Sequence, residues 1–272
     1  MTDTAIPVLR SAWFGQNATV SERLVPEETP IALTYNRATH AVMLATPADL
    51  EDFAIGFSLS EEIIARTDEI TALEIVTVSA GIELRMDLVE DRLDALTHRQ
   101  RRLAGPSGCG LCGLDSLAAA IRPVPPVPDG PAVTPEMIQM AMQAMPAAQT
   151  LNTATRSVHA AAFWTAGSGL VALREDVGRH NALDKLSGAL ARNDRSAADG
   201  IILLSSRVSV EMVQKAAFMR ASVIAAVSAP TALAIRTAEA AGITLIGIAR
   251  ADGFEVFTHT HRLTQASVRH VA

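Results

Sequence analysis

Along the second half of the chain, short apolar runs alternate with amphipathic stretches that have helical spacing. The apolar runs predict buried strands at residues 200–206, 222–228 and 243–249. Between them, the spacing predicts helices over residues 209–220 and 231–242. Strands that are separated by helices of this length favour parallel crossovers, so the sequence predicts an α/β fold with a layered sheet core.

The first half has the pattern of a smaller α+β subdomain. Alternating apolar residues predict a strand pair at residues 31–36 and 41–46, and a half-buried strand at 82–88. Between them, Thr46 is followed by proline, which predicts the N-cap of a mostly buried helix that runs to about residue 65.

A proline-rich segment separates the two halves. Five of the 13 prolines lie between Pro123 and Pro131, which predicts an extended and stiff segment. We therefore expect an N-terminal subdomain over residues 1–122, a linker over 123–133 and an α/β core over 134–272.

The composition is that of a globular, acidic protein. Of the 272 residues, 49% are hydrophobic and 19% are charged, and the formal net charge is −6. A protein without a basic surface is not expected to bind nucleic acid non-specifically. The first residues have no signal-peptide pattern, and the longest apolar stretch, 221–235, is too short and too interrupted to span a bilayer. We expect a cytoplasmic protein with reduced thiols, no membrane segment and no nucleic-acid partner.

Both cysteines of the chain lie together in the glycine-rich stretch GPSGCGLCGLDS, as Cys109 and Cys112. A predicted helix follows them and the basic run HRQRR precedes them, and both features favour the reactive thiolate. Three roles fit this pattern: a pair of metal ligands, a dithiol redox couple, or a nucleophile that carries a group on sulfur. A structural zinc site needs two further ligands, which histidines or a second copy of the chain would have to supply.

The densest polar stretch is REDVGRHNALDKLSGAL, at a predicted strand-to-helix junction. It places Arg179, His180 and Asn181 in the first helical turn, where free backbone N–H groups and the helix dipole favour an anion. Lys185 shares a helical face with Asn181. The stretch therefore predicts a phosphate site, and the alternative is a solvated helix start with an ion pair.

Polar residues follow the predicted parallel strands, at the edge where open α/β sheets bind ligands. Ser206 and Arg207 follow the first strand and Ser228 follows the second. The third strand ends at this edge in the segment Ile248, Ala249, Arg250, Ala251, Asp252 and Gly253, in which Arg250 is available to a phosphate or a base.

Five ordered motifs, SGCGLCG, EDVGRHNALDK, SSRVSVEMVQKAA, VSAPTALAI and GITLIGIAR…VFTH, together resemble the FdhD/NarQ family, from about residue 31 to 263. Members of that family are accessory sulfurtransferases for formate dehydrogenases. The resemblance implies a cytoplasmic sulfur carrier that accepts sulfur from an L-cysteine desulfurase as a persulfide. The resemblance further implies that the carrier passes that sulfur to the molybdenum or tungsten bis-guanine dinucleotide cofactor before the cofactor enters the formate dehydrogenase apoenzyme. The resemblance also implies a core similar to the cytidine deaminase fold and a homodimer.

The resemblance implies that Cys109, by its position in the motif, is the cysteine that bears the persulfide, and that Cys112 is the partner cysteine. It makes residues 248–253 the segment near the guanine nucleotide, so GDP and GMP are expected to mimic the cofactor. Where many members read Thr-Gly-Gly, this chain has Arg156 and Ser157 after the threonine. The alternative function is a chaperone that binds the cofactor without sulfur transfer and holds zinc on its cysteine pair. Deaminase activity is not expected, because no His-x-Glu accompanies a Pro-Cys-x-x-Cys.

Overall fold

The computed structural model describes residues 3–93 and 123–264, and within them twelve strands form three sheets accompanied by six α-helices. The strands are β1 (Ala5–Phe14), β2 (Asn17–Pro26), β3 (Thr29–Tyr35), β4 (Ala38–Ala45), β5 (Ile70–Val78), β6 (Gly81–Leu88), β7 (His159–Thr165), β8 (Gly169–Asp176), β9 (Ile201–Leu204), β10 (Val223–Ala226), β11 (Thr244–Arg250) and β12 (Gly253–Val256). The helices are α1 (Leu50–Ser60), α2 (Pro135–Ala148), α3 (Thr150–Thr155), α4 (Arg179–Arg192), α5 (Val210–Phe218) and α6 (Ala232–Ala241). The prediction of an α/β fold is confirmed.

The largest sheet has six strands in the order β12-β11-β10-β9-β7-β8. Its centre is the parallel trio β9, β10 and β11, while β7 and β12 run antiparallel to their neighbours. The central strands β9 and β10 are apolar and buried along their whole length, as expected of strands covered on both faces. Residues of α4, α5 and α6 pack in one apolar cluster with this sheet, and residues of α2 pack in another, so the core is layered.

The N-terminal half contains a four-stranded sheet in the order β4-β3-β6-β5, with α1 packed on one face. Ile31, Leu33 and Leu84 alternate inward from β3 and β6 and meet Phe53 of α1. A separate two-stranded ribbon, β1 paired with β2, precedes this sheet and was not predicted from the sequence.

The start of α1 differs from the prediction. The helix begins at Leu50 after Asp49, whose φ of 52° lies in the left-handed region, and Thr46 is not the N-cap. Instead, the Thr46 hydroxyl accepts a hydrogen bond from the Val177 backbone N–H at 3.1 Å. Thr46 therefore joins the N-terminal half to the larger sheet, and the helix starts one turn later than its sequence suggests.

The proline-rich segment is without regular secondary structure over residues 123–132 and runs along the core. Val127 donates a backbone hydrogen bond to Ala241 at 2.9 Å, and Val133 donates one to Arg262 at 3.0 Å. Because α1 packs closely against α4, the two halves share an extensive interface. The domain boundaries at 122 and 134 stay predictions. In the described part of the chain, no helix has the length and apolar character needed to cross a membrane.

Candidate functional site

The parallel topology brings the polar strand ends to one edge of the six-stranded sheet. Strands β8, β9, β10 and β11 all end at this edge, because β7 lies antiparallel between β8 and β9. A hydrogen bond holds the loop after β9 at this edge, because the Ser205 hydroxyl accepts from the Ala160 backbone N–H at 2.8 Å. The helices α4, α5 and α6 begin at the same edge, so their N-terminal N–H groups lie around it. Open α/β sheets bind ligands at this place.

Four titratable residues, His159, Arg179, His180 and Glu211, form what we call the strand-end cluster. His180 and Glu211 lie in the first turns of α4 and α5, and His180 Nε2 is 4.0 Å from Glu211 Oε2. Arg179 Nε, His180 Nε2 and Glu211 Oε2 are buried atoms without a hydrogen-bond partner in the described part of the chain. Buried polar atoms normally have hydrogen-bond partners, so the three atoms without a partner at this edge indicate that a further group binds there.

Both histidines of the cluster favour the neutral form. Burial, followed by the charges of Arg179 and Lys215, lowers the pKa of His180 from 6.5 to about 4. Burial and Arg179 also lower the pKa of His159. A neutral imidazole has one donor and one acceptor nitrogen, so at neutral pH the cluster's positive charge comes from Arg179.

Two residues that the sequence assigned to anion binding point elsewhere. Lys185 is fully buried; its Nζ lies 2.7 Å from Asp176 Oδ2 and donates to the Thr46 carbonyl oxygen at 2.8 Å. The Asn181 amide nitrogen donates to the Leu44 carbonyl oxygen at 2.9 Å and to Asp176 at 3.0 Å. The expectation that they contact a ligand is corrected here, because their polar groups are used inside the protein, between its two halves.

The predicted serines and Arg207 lie on the loops after β9 and β10. The Ser206 hydroxyl is nearly buried and donates to the Arg207 carbonyl oxygen at 3.0 Å, whereas the Arg207 side chain is exposed. The Ser228 carbonyl oxygen accepts a hydrogen bond from the Ile248 N–H at 3.2 Å. That bond brings the loop after β10 next to the segment 248–253.

The segment 248–253 contains a strained bulge between β11 and β12. The pairing register shifts between Gly247 and Arg250, and Ile248 has a φ of 51°. A β-branched residue in the left-handed region is a rare outlier, and such strain costs about 1–3 kcal/mol and concentrates at binding sites. The side chain of Arg250 is exposed, as are the turn residues Ala251 and Asp252; Gly253 is partly buried, and Ala249 faces the core.

Arg156 occupies a backbone position that favours glycine. It ends α3 with φ 56° and ψ 33°, the left-handed conformation of a helix C-cap. A residue with a Cβ adopts it at a cost of about 1–2 kcal/mol, whereas glycine does so freely. The arginine therefore keeps the chain path that a glycine would adopt with less strain.

The residues that the structure describes contain no group of three or more histidine, aspartate or glutamate side chains arranged to hold a metal ion. Cys109 and Cys112 lie outside the described residues, in the segment 94–122, so their predicted roles stay predictions.

Comparison with known proteins identifies the family. The model of the FdhD/NarQ family matches residues 26–264 of the 272-residue chain. The chain belongs to the FdhD/NarQ family.

Two FdhD relatives show how close the similarity is. A protein of Brucella abortus biovar 1 (strain 9-941), named sulfur carrier protein FdhD, is 58% identical over 247 residues, which cover 90% of this chain and 92% of the relative. A protein of Agrobacterium fabrum (strain C58 / ATCC 33970) with the same name is 51% identical over 257 residues, which cover 94% of this chain and 95% of the relative.

A solved structure from Desulfotalea psychrophila, described as a candidate formate dehydrogenase accessory protein, has a TM-score of 0.74 and 22% sequence identity to this chain. The alignment covers 96% of this chain and all of that chain. At this identity the similarity supports the fold of this FdhD/NarQ protein. The likeness of its core to the cytidine deaminase fold stays a prediction.

Sequence reasoning missed Glu211 and His159 as members of the strand-end cluster of this FdhD/NarQ protein. Glu211 lies within the motif SSRVSVEMVQKAA, two residues after the N-cap Ser209, and an acidic residue there has an ordinary role at a helix start. Only the pairing of α4 with α5 across the sheet edge places Glu211 beside His180.

Proposed function

We propose that this FdhD/NarQ protein is a cytoplasmic sulfur carrier for formate dehydrogenase, acting as a sulfurtransferase. It accepts sulfur from an L-cysteine desulfurase as a persulfide on Cys109 and delivers it to the molybdenum bis-guanine dinucleotide cofactor. The observation that carries the proposal is the strand-end cluster, whose buried atoms without partners lie at the ligand-binding edge of the sheet. The names of the relatives, sulfur carrier protein FdhD, supply the class of chemistry.

The sulfur steps follow from thiol chemistry. The Cys109 thiolate attacks the outer sulfur of the desulfurase persulfide, which forms a new S–S bond on Cys109 and releases the desulfurase thiolate. In the second step, the Cys112 thiolate attacks the inner sulfur of that persulfide, so that a Cys109–Cys112 disulfide forms and sulfide leaves with the electron pair. Sulfide goes to the cofactor, and a thiol reductant restores the two cysteines. These thiols require a reducing compartment, which supports the cytoplasmic location.

The cofactor is an anionic substrate, and the sheet edge has groups that suit it. Exposed Arg207 and Arg250, together with Arg179, offer guanidinium groups that pair with phosphate oxygens. The fixed charge of Lys185 is unavailable, because Asp176 neutralises it inside the protein. The strained bulge at Ile248 holds the adjoining turn in a defined shape, which supports segment 248–253 as the part nearest to the guanine nucleotide.

Sulfur loading of Cys109 is the experiment that tests the proposal. After incubation with a cysteine desulfurase and L-cysteine, the intact protein should gain one sulfur atom, which a thiol reductant removes. Cys109→Ala should abolish this gain, because Cys109 is the residue that receives the sulfur in the proposed first step. Cys112→Ala is the matched control and should still load. Equal loading of Cys109→Ala and the unaltered protein contradicts the proposal, and stoichiometric zinc in place of loading supports the chaperone alternative.

Nucleotide binding tests the cofactor part separately. GDP should bind the unaltered protein in a calorimetric titration, and Arg250→Ala should weaken binding by about tenfold, since a hydrogen bond to a charged group contributes about 1.5–3 kcal/mol. Arg236→Ala is the control, because Arg236 is an exposed arginine on α6, a helix that follows a different loop. Unchanged affinity of Arg250→Ala for GDP would remove that residue from the binding site.

A further inference from the structure

Lys215 is a nearly buried lysine on α5 that the proposed sulfur transfer does not use. Its side chain is 12% exposed, and its Nζ lies 2.7 Å from Asp184 Oδ1 and 2.9 Å from Asp184 Oδ2. The Ser60 hydroxyl also donates to Asp184 at 2.6 Å, and Glu61 Oε1 lies 3.9 Å from Lys215 Nζ. The end of α1 therefore meets both α4 and α5 at this ion pair.

The ion pair lies about one helical turn away from the strand-end cluster. Asp184 follows His180 by four residues on α4, and Lys215 follows Glu211 by four residues on α5. Residues four apart share a face of a helix and lie about 6 Å apart along its axis. Two side-chain pairs therefore join the same faces of α4 and α5 in succession: Lys215 with Asp184 in the interior, and His180 with Glu211 at the sheet edge.

The two pairs differ in how closely their atoms approach. Lys215 bonds both carboxylate oxygens of Asp184, whereas His180 Nε2 and Glu211 Oε2 are 4.0 Å apart, which is too far for a hydrogen bond. One ligand atom at about 2.8 Å from each of them would fit between them. The distance between α4 and α5 at the interior pair therefore sets the width of the gap at the sheet edge.

The interior pair supplies a directional contact to helices that otherwise share apolar packing. Leu183 of α4 and Met212 of α5 belong to the same buried apolar cluster. Apolar burial is non-directional, so it specifies the position of one helix along another only loosely. A buried ion pair is weak evidence for stability, and its best-attested use is to specify the register of helices. The bond between Lys215 and Asp184 therefore suits positioning better than it suits stabilisation.

We propose that Lys215 is a positioning residue of the ligand site at the sheet edge. Its ion pair with Asp184 holds the first turns of α4 and α5 at the spacing that a ligand of His180 and Glu211 requires. Lys215 acts through Asp184 and is not itself a ligand contact. The inference rests on the proposed function, because it takes the strand-end cluster as part of the site where the guanine nucleotide of the cofactor binds.

The charge of Lys215 also acts on the cluster. His180 faces Arg179 on its own helix, Glu211 and Lys215 on α5, and His159 on β7. Burial has the largest effect on the pKa of His180; Arg179 and then Lys215 lower it further, and the resulting pKa is about 4. Because the ordinary histidine pKa of 6.5 also lies well below 8, His180 is neutral at pH 8 with or without the Lys215 charge.

Nucleotide affinity at pH 8 tests the position of these groups apart from their charge. The double variant Asp184→Asn, Lys215→Met removes one negative and one positive charge, and such a replacement of a buried ion pair by groups of similar volume often leaves stability unaltered. Its affinity for GDP in a calorimetric titration should fall about tenfold, because a binding site must hold its groups to within about 0.5 Å. Thermal unfolding followed by circular dichroism shows whether the variant is folded.

An ion pair at the opposite end of α4 supplies the matched control. Arg192 ends α4, about 18 Å along the axis from His180, and its Nη1 lies 2.7 Å from Asp52 Oδ1. Asp52→Asn, Arg192→Met also removes one charge of each sign and should keep the affinity for GDP within about twofold. Equal losses of affinity in the two double variants overturn the proposal. Unchanged affinity in a folded Asp184→Asn, Lys215→Met protein overturns it as well.

A measurement without ligand separates this inference from the proposed function. In an NMR titration of the histidine ring protons, with His180 assigned from His180→Gln, the pKa of His180 should be higher in Asp184→Asn, Lys215→Met. The reason is that the Lys215 charge is lost and a displaced α5 covers the imidazole less. A pKa that stays at about 4 overturns the proposal, whether or not GDP binds. A raised pKa supports it, and if the unaltered protein then fails to bind GDP, only the cofactor part of the proposed function is contradicted.

Discussion

Replacing Gly188 with alanine is expected to lower the melting temperature by about 10 °C. Gly188 lies where α4 crosses α1, and a Cβ there would overlap the backbone carbonyl of Asp52. The reciprocal contact involves Gly56, whose Cβ would overlap the carbonyl of Asp184. Because a backbone cannot move aside as a side chain does, the helices would have to separate, at a cost of about 3 kcal/mol or more. That cost exceeds the gain of about 1 kcal/mol in helix propensity from glycine to alanine.

The separation of α1 from α4 would also weaken polar contacts across the same interface. The Ser60 hydroxyl donates to Asp184 Oδ1 at 2.6 Å, and Arg192 Nη1 lies 2.7 Å from Asp52 Oδ1. Thermal unfolding followed by circular dichroism measures the effect. Gly167→Ala is the matched control, since a Cβ at that surface turn meets nothing within 4 Å. An equal melting temperature for both variants would show that the helices tolerate the added methyl group.

The core strands could be predicted from sequence because their physical signal is local. Strands β9 and β10 are short apolar runs followed by amphipathic helices, and burial on both faces requires that pattern. Because β9, β10 and β11 are parallel, their carboxyl ends and the polar loops after them lie at the same edge of the sheet. The sequence therefore predicts a candidate site at the sheet edge from the topology alone.

The hairpin of β1 and β2 could not be predicted in the same way. Exposed apolar residues such as Leu9 and Trp13 interrupt the alternation that marks a half-buried strand. A sequence pattern reports burial, and these residues have no cover within the part of the chain that the structure describes.

The internal contacts of Asn181 and Lys185 could not be predicted from the sequence, for a related reason. Their spacing places both on one helical face, but spacing does not tell whether that face meets solvent or another part of the protein. The deciding partners are distant in sequence: Thr46 and Leu44 are more than 130 residues away from them. Long-range packing therefore turned a predicted ligand contact into an internal bond.

Replacing Lys185 with methionine is expected to destabilise the protein by about 3–5 kcal/mol. Methionine fills much of the lysine volume, but it leaves the Asp176 carboxylate in the interior without its cation. Both residues are fully buried, and their charged atoms are 2.7 Å apart. Asp176 would retain hydrogen bonds from the Thr46 and Gly178 backbone N–H groups, whereas the Thr46 carbonyl oxygen would lose its Lys185 donor. Chemical denaturation measures the free energy of unfolding, and Arg236→Met is the control because it removes an exposed cation from a helix.

A double variant separates the charge effect from packing. Asp176→Asn alone should also destabilise, since it leaves the Lys185 ammonium buried without a counter-charge. Combining Asp176→Asn with Lys185→Met removes both charges, so the loss should be smaller than the sum of the two single losses by at least about 1 kcal/mol. Strictly additive losses would show that the two charged groups do not interact.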